Sequence, residues 1–475
     1  MSAATARLLF PALRWHAETG FDAERPRIER ALELGVGGFV LFGGVAPMVQ
    51  ALVTELRARA DWPLLIGSDL ERGAGQQFVG ATQLPPLAAL GALDDPDLTY
   101  RAAQVTAREA LALGVNWIYA PVADIDLEPR NPIIGTRAFG SDAALVSRHV
   151  RAWVEGCNQS GALSCAKHFP GHGRTTADSH ATLPEVAAAP AELALDLAPF
   201  RAAIDAGVDS LMTAHVVYSA LVNDHRPATL SHRIITQLLK GELAFAGAVV
   251  TDALNMQGVL AGGTEAEAAI AAVRAGCDAL LYPEDLDTVA AALDAALGTT
   301  IDEARVADAN ERLDRMARRS GPGGGAWGRD VDHAWAIELA TRALTMVRGI
   351  LMHTRALDLV TIDDDIGGPY PAPARTPFVH ALREADMEVV EVDEPGERPA
   401  VIAVYADIRA WKGRPGVSAA ARARLEAALS RQADALVLLF GHPRLAAELP
   451  GRNVLCAWGG EAIMQRAAAQ RLAKP

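Results

Sequence analysis

The sequence predicts an α/β protein, a (β/α)8 TIM-type barrel followed by a smaller doubly wound α/β domain. Three observations carry this. Short apolar, β-branched runs alternate with long alanine-rich helical stretches. Eight such runs precede a glycine-rich segment and five more follow it. Polar residues gather at the C-terminal ends of the first eight, the end that carries the active site in barrels.

The eight barrel runs are, in order, "RLLFPAL" (Arg7 to Leu13), "GGFVLFG" (Gly37 to Gly43), "PLLIGSD" (Pro63 to Asp69) and "VNWIYAPVAD" (Val115 to Asp124). They continue with "ALSCAKHF" (Ala162 to Phe169), "DSLMTAHV" (Asp209 to Val216), "GAVVTDAL" (Gly247 to Leu254) and "CDALLYP" (Cys277 to Pro283). Continuous apolar strands separated by helices imply a parallel sheet covered on both faces. Asp69, Asp124, Lys167 with His168, His215 and Asp252 stand at five of the eight ends. The domain boundaries expected are 1–318 for the barrel, 319–332 for a glycine-rich linker containing "SGPGGGAWG", and 333–475 for the second domain. There "HAWAIELATRALTMVRG" (His333 to Gly349) reads as one helix, followed by the strand runs "ALDLVTI", "MEVVEV", "AVIAVY", "DALVLLF" and "NVLCAW". None of these runs leads into a GxGxxG or P-loop, so no nucleotide and no cofactor is expected.

Composition narrows the function classes. The chain has 475 residues, half of them apolar, with a formal charge of −14, which argues against nucleic acid or an anionic membrane as partner. Four scattered cysteines without CxxC spacing read as buried thiols in a reducing compartment. Pro11 and Arg14 break the N-terminal apolar stretch, so neither a signal peptide nor a membrane span is expected, and the expected location is the cytoplasm.

The chemistry lies in two places. In "VVTDALNMQG", Asp252 follows Val249, Val250 and Thr251, which projects a carboxylate from a strand end. By itself it reads as a nucleophile, a base, a metal ligand or a helix cap. In "CAKHFPGHGRTTADSHATLPEV" (Cys165 to Val186), Pro170 and Gly171 block a helix, so His168 and His172 cannot pair on one helical face. This weakens a metal reading, and no metal is expected. Asp178 and His180, spaced D-x-H on an extended loop, let a carboxylate reach an imidazole, fix its tautomer and raise its pKa. A solvated loop with incidental acid and histidine is the plainer alternative.

"KHFPGHGRTTADSHATLPEV" resembles the signature of the β-N-acetylglucosaminidases of glycoside hydrolase family 3. "NPIIGTRAFGSD", "SLMTAHVVYSAL", "PATLSHRIITQLLKGELAFAGAVVTDALNM", "AGCDALLYP" and, in the second domain, "VLLFGHPRLAAELP" agree in the same order. The resemblance implies a retaining exo-enzyme that removes terminal nonreducing β-GlcNAc. It makes Asp252 the nucleophile that forms a covalent glycosyl-enzyme, and His180, assisted by Asp178, the acid/base. It makes Asp69, Arg137, Lys167 and His168 sugar ligands. His172 reads as a brace for the loop, and His215, at a strand end, as a further residue of the substrate-binding set, with a structural role the equal alternative. Water is the expected acceptor. Phosphate is the alternative, since a neutral histidine does not repel an incoming anion.

The sequence also departs from the family. Cell-wall-recycling members read DQEGGRVQR around the binding aspartate. Here "DLERGAGQQ" puts Ala74 and Gln77 where two arginines are usual, and Arg72 where a glycine is usual. The leaving group is therefore open, and a β-glucosidase or a dual β-glucosidase/β-N-acetylglucosaminidase is the nearest rival. A metallohydrolase using His168, His172, His180 and Asp178, and a non-catalytic sugar-binding protein, are the readings from other classes.

Overall fold

The computed structural model describes residues 3–179, 182–222, 225–260, 263–321, 323–365, 373–407, 412 and 416–474. Its contacts divide the chain into two compact units. The first comprises residues 1–82, 95–127 and 141–329; the second, 83–94, 128–140 and 330–475.

The first unit is a parallel barrel. Its strands are β1 (Leu9–Phe10), β2 (Ala12–Arg14), β3 (Gly38–Phe42), β4 (Leu65–Ser68), β5 (Trp117–Ile118), β6 (Leu163–Phe169), β8 (Ser210–Thr213), β10 (Ala248–Ala253) and β11 (Ala279–Leu281). The short pair β7 (Glu185–Val186) and β9 (Val217–Tyr218) forms a separate two-stranded sheet. The barrel order is β1-β11-β10-β8-β6-β5-β4-β3-β2. β1 and β2 are two halves of one stretch, parted by Pro11, which has no N–H to give a ladder. One half pairs with β11 and the other with β3, so the sheet closes on eight positions. Each coincides with one of the eight apolar runs. Trp117 and Tyr119 pack edge-on at 5.0 Å and Phe10 meets Trp117 at 5.4 Å, filling the interior with rings.

Buried charges brace the N-terminal end of this barrel. Asp209, just before β8, accepts the Ser164 N–H at 2.9 Å and pairs with Arg319. Asp278, before β11, accepts the Val249 N–H at 2.8 Å and pairs with Lys240 at 3.0 Å and with Arg305. Arg305 and Arg319 lie on the Glu303–Arg319 helix, which these pairs fasten to the strand starts.

The second unit is a doubly wound α/β domain. It contains β12 (Thr345–Arg348), β13 (Ala356–Asp363), β14 (Glu388–Glu391), β15 (Ala400–Tyr405), β16 (Leu436–Phe440) and β17 (Asn453–Cys456), in the order β12-β17-β16-β15-β13-β14. Alternate residues of β15 enter different cores. Val401, Ala403 and Tyr405 join one cluster, and Ala400, Ile402 and Val404 the other. Both faces are therefore covered, which is why the run reads as continuously apolar. The single helix expected over His333 to Gly349 is shorter. It spans Asp330–Ala343, and Thr345–Arg348 is an edge strand antiparallel to β17. Pairing with β17 overrides the helical continuation, and the β-branched Thr345 and Val347 suit it.

All four cysteines are buried thiols. Among the described residues no helix is long and apolar enough to cross a membrane.

Candidate active site

Asp69 follows β4, Asp124 follows β5, Lys167 and His168 lie near the end of β6, and Asp252 is the penultimate residue of β10. Their side chains start from one end of the barrel because parallel strands present their C-termini together.

Lys167 is 2% exposed, a depth at which an ammonium needs compensation. It has two carboxylates, Asp69 Oδ1 at 2.5 Å and Glu71 Oε1 at 2.8 Å. Glu71 is itself buried, while Asp69 keeps about a quarter of its side chain exposed. The lysine thus holds Asp69 at the strand end with its carboxylate still reachable.

Asp124 is fully buried and gathers the next segment. It accepts the His168 ring through Nδ1 at 2.7 Å, the His168 backbone N–H at 3.2 Å and the His172 N–H at 2.6 Å. Burial pushes its carboxyl up. The charge and hydrogen bond of His168 outweigh that and hold it below the usual carboxylate value. Since Nδ1 of His168 is engaged, Nε2 is the nitrogen that can meet a hydroxyl.

The loop after β6 is held closely. Gly173 lies against the Ile125 carbonyl, which would sit 1.6 Å from any Cβ placed there, so only glycine fits. Tyr218 donates its hydroxyl to the Gly171 carbonyl at 2.8 Å. His172 meets Thr175 Oγ1 through Nδ1 at 2.8 Å and Ser179 Oγ through Nε2 at 3.1 Å. Its imidazole is lowered to about 4, first by burial and then by His168. Asp178 is half-buried, and its carbonyl accepts the Thr182 N–H at 3.0 Å. His180 lies outside the described residues.

Asp252 is partly exposed, and its Oδ1 accepts the Ala253 N–H at 2.8 Å. Two neighbours sense its charge. It acts on His172, and together with Asp69 it acts on Tyr282, whose hydroxyl is raised well above its usual value, first by burial. Tyr282 follows β11 in the left-handed region at φ +58°, a conformation uncommon for a bulky residue, with its ring 5.3 Å from that of Phe42.

His215 is fully buried. Nε2 lies 3.0 Å from the Ala253 carbonyl, which can only accept, so Nε2 carries the proton. Nδ1 lies 2.8 Å from Thr229 Oγ1. Both nitrogens therefore have protein partners. Arg137 sits in a short turn, Gly135–Arg137, of the second unit, with Nη1 donating to the Ile133 carbonyl at 3.1 Å. Gln77, at a family arginine position, accepts the Gly43 N–H at 3.0 Å.

Residues 31–316 match the model of the glycosyl hydrolase family 3 N-terminal domain. The chain belongs to glycosyl hydrolase family 3. It is 38% identical over 313 residues to a β-hexosaminidase of Chromobacterium violaceum, covering 63% of this chain and 84% of that one. It is 35% identical over 407 residues to a β-N-acetylglucosaminidase/β-glucosidase of Cellulomonas fimi, covering 79% and 72%. The structure of a family 3 β-N-acetylglucosaminidase from a Paenibacillus species superposes with a TM-score of 0.88 at 30% identity, over 100% of this chain and 96% of that one. Asp124, Glu71 and Tyr282 are the residues that motif reading missed. Asp124 was visible as one of five polar strand ends, and Glu71 lies two residues from Asp69.

Proposed function

We propose that the chain is a retaining, exo-acting β-N-acetylglucosaminidase that hydrolyses terminal nonreducing β-GlcNAc. The observation that carries this reading is the pair of buried arrangements at neighbouring strand ends, Lys167 with Asp69 and Glu71, and His168 with Asp124. They hold a carboxylate and an imidazole in fixed positions, as recognition of sugar hydroxyls requires. The similarity to the Chromobacterium β-hexosaminidase and the Paenibacillus β-N-acetylglucosaminidase supports the same substrate class.

In this reading Asp252 attacks the anomeric carbon as the bond to the leaving oxygen breaks. His180, with Asp178 behind it, gives that oxygen its proton. The covalent glycosyl-enzyme is then opened by water, which passes its proton to His180 as its oxygen bonds the anomeric carbon. Asp69, Lys167 and His168 hold the hydroxyls. Arg137 joins them on the strength of "GTRAFG" alone. We assign His215 to bracing the Ala253 carbonyl, and with it the strand of Asp252, since its two nitrogens meet protein atoms.

Dual action on β-glucosides is the second reading. The similarity to the Cellulomonas β-N-acetylglucosaminidase/β-glucosidase favours it, and Ala74 and Gln77 leave the leaving-group side altered. Phosphate as acceptor is the corresponding alternative to water. One panel tests all three: kcat/KM on aryl β-GlcNAc and aryl β-glucoside, each with and without phosphate. Faster turnover of the glucoside overturns the first reading. A sugar phosphate among the products replaces hydrolysis by phosphorolysis.

A further inference from the structure

The middle residue of "DSH" is fastened twice. The Ser179 side chain meets His172 Nε2 at 3.1 Å, and the Ser179 carbonyl accepts the Gly258 N–H at 2.9 Å. Gly258 lies in the Gln257–Leu260 turn, a few residues beyond Asp252. A Cβ on Gly258 would stand 2.8 Å from the Ser179 carbonyl and 3.1 Å from that of Thr182, so the loop approaches this turn as closely as glycine allows.

Thr175 Oγ1 lies 3.1 Å from the His172 carbonyl and 2.8 Å from His172 Nδ1, and Ser179 Oγ lies 3.1 Å from Nε2, so the ring is held at both nitrogens. Burial keeps this imidazole neutral at neutral pH. The His172 N–H in turn is held by Asp124, which also holds His168.

We infer that His172, Ser179 and Gly258 are positioning residues that set the acid/base loop against the strand of the nucleophile. The inference rests on the assignment of proton transfer to the Asp178–His180 loop. In kcat/KM, which reports formation of the glycosyl-enzyme, a latch of this kind shows only where the leaving oxygen needs a proton. Good leaving groups depart without protonation, and poor ones do not. A purely structural contact would slow both alike.

The test is kcat/KM on 2,4-dinitrophenyl and 4-methoxyphenyl β-N-acetylglucosaminide for the full chain, with Tm measured alongside. Ser179→Ala, His172→Asn and Gly258→Ala are expected to lose at least about tenfold more on the methoxyphenyl substrate than on the dinitrophenyl one. Ser179→Thr, which keeps the hydroxyl, is expected to restore most of the difference. Equal losses on the two substrates, or none, in a folded Ser179→Ala would overturn the inference. A wild-type chain inactive on both substrates would instead overturn the functional reading beneath it.

Discussion

Both ends of the barrel bury carboxylates beside cations, yet the two ends use them differently. At the N-terminal end Asp209 and Asp278 bind backbone N–H groups and the arginines of a terminal helix, joining parts of the chain far apart in sequence. At the C-terminal end Asp124 and Glu71 bind the histidine and lysine of one strand, the residues proposed above to hold the sugar. The same pairing thus fastens the fold at one end and, in the proposed reading, orients sugar-holding groups at the other. Burial and ion pairing alone do not identify a site. Their place at the C-terminal end of parallel barrel strands is what marks the second set.

The sharpest way to break this comparison is Asp252→Asn. Removing the proposed nucleophile is expected to lower kcat on the order of 10^4-fold while leaving Tm within a few degrees of wild type. An active, unfolding-prone variant would place Asp252 with the fastening residues instead. Asp124→Asn comes next. An amide presents a donor to at least one of the three N–H groups that the carboxylate accepts, so His168 loses its orientation. A fall in kcat/KM of about 10²-fold, concentrated in KM, is expected. A loss confined to Tm would make Asp124 structural only.

The contrast explains what the sequence disclosed. The eight strands were legible because strands buried on both faces are continuously apolar, and Asp69, Lys167, His168 and Asp252 were legible because they end those runs. Asp124 showed as a polar strand end, but its hub role was not legible. It depends on three N–H groups converging from residues 168 and 172, more than forty positions away. Nothing in residues 83–94 or 128–140 signals that they pack with residues 330–475, since contact between distant segments leaves no local pattern. His215 looked like the other strand-end residues. Only the positions of Thr229 and the Ala253 carbonyl reveal that both its nitrogens are occupied by protein.

Acid titration should separate the two ends by sign. Burial, outweighing Arg319, raises the Asp209 carboxyl to about 6. Between roughly pH 4 and 6 the folded chain holds a proton there that the unfolded chain releases, so this group favours folding as pH falls. His172, lowered from 6.5 to about 4, does the reverse. Across that window the unfolded chain takes up a proton that the folded chain refuses, so this group disfavours folding as pH falls. Thermal melts from pH 6.5 to 4 check this. Relative to wild type, His172→Asn is expected to gain stability on acidification and Asp209→Asn to lose it, each by a few degrees at most. Parallel slopes for the two variants would mean that neither group titrates as assigned.

The smallest expected effect concerns what lies between the two ends. Cys165 sits in β6 between Ser164, which binds Asp209, and Lys167, which binds Asp69. Its thiol is raised to about 12, because burial exceeds the lowering by the Ser210 hydrogen bond and the Lys167 charge. Cys277 and Cys456 are pushed up to about 12 by the same burial, and Cys157 is raised as well. At neutral pH none is a thiolate, and the thiolate is the nucleophile. Native protein treated with iodoacetamide is therefore expected to keep full activity and show no alkylation by mass spectrometry, while urea-unfolded protein takes up four equivalents. Phe10, Trp117 and Tyr119 pack as a layer of rings in the barrel interior between the two ends. Alkylation of native Cys165 would show reagent entering that layer.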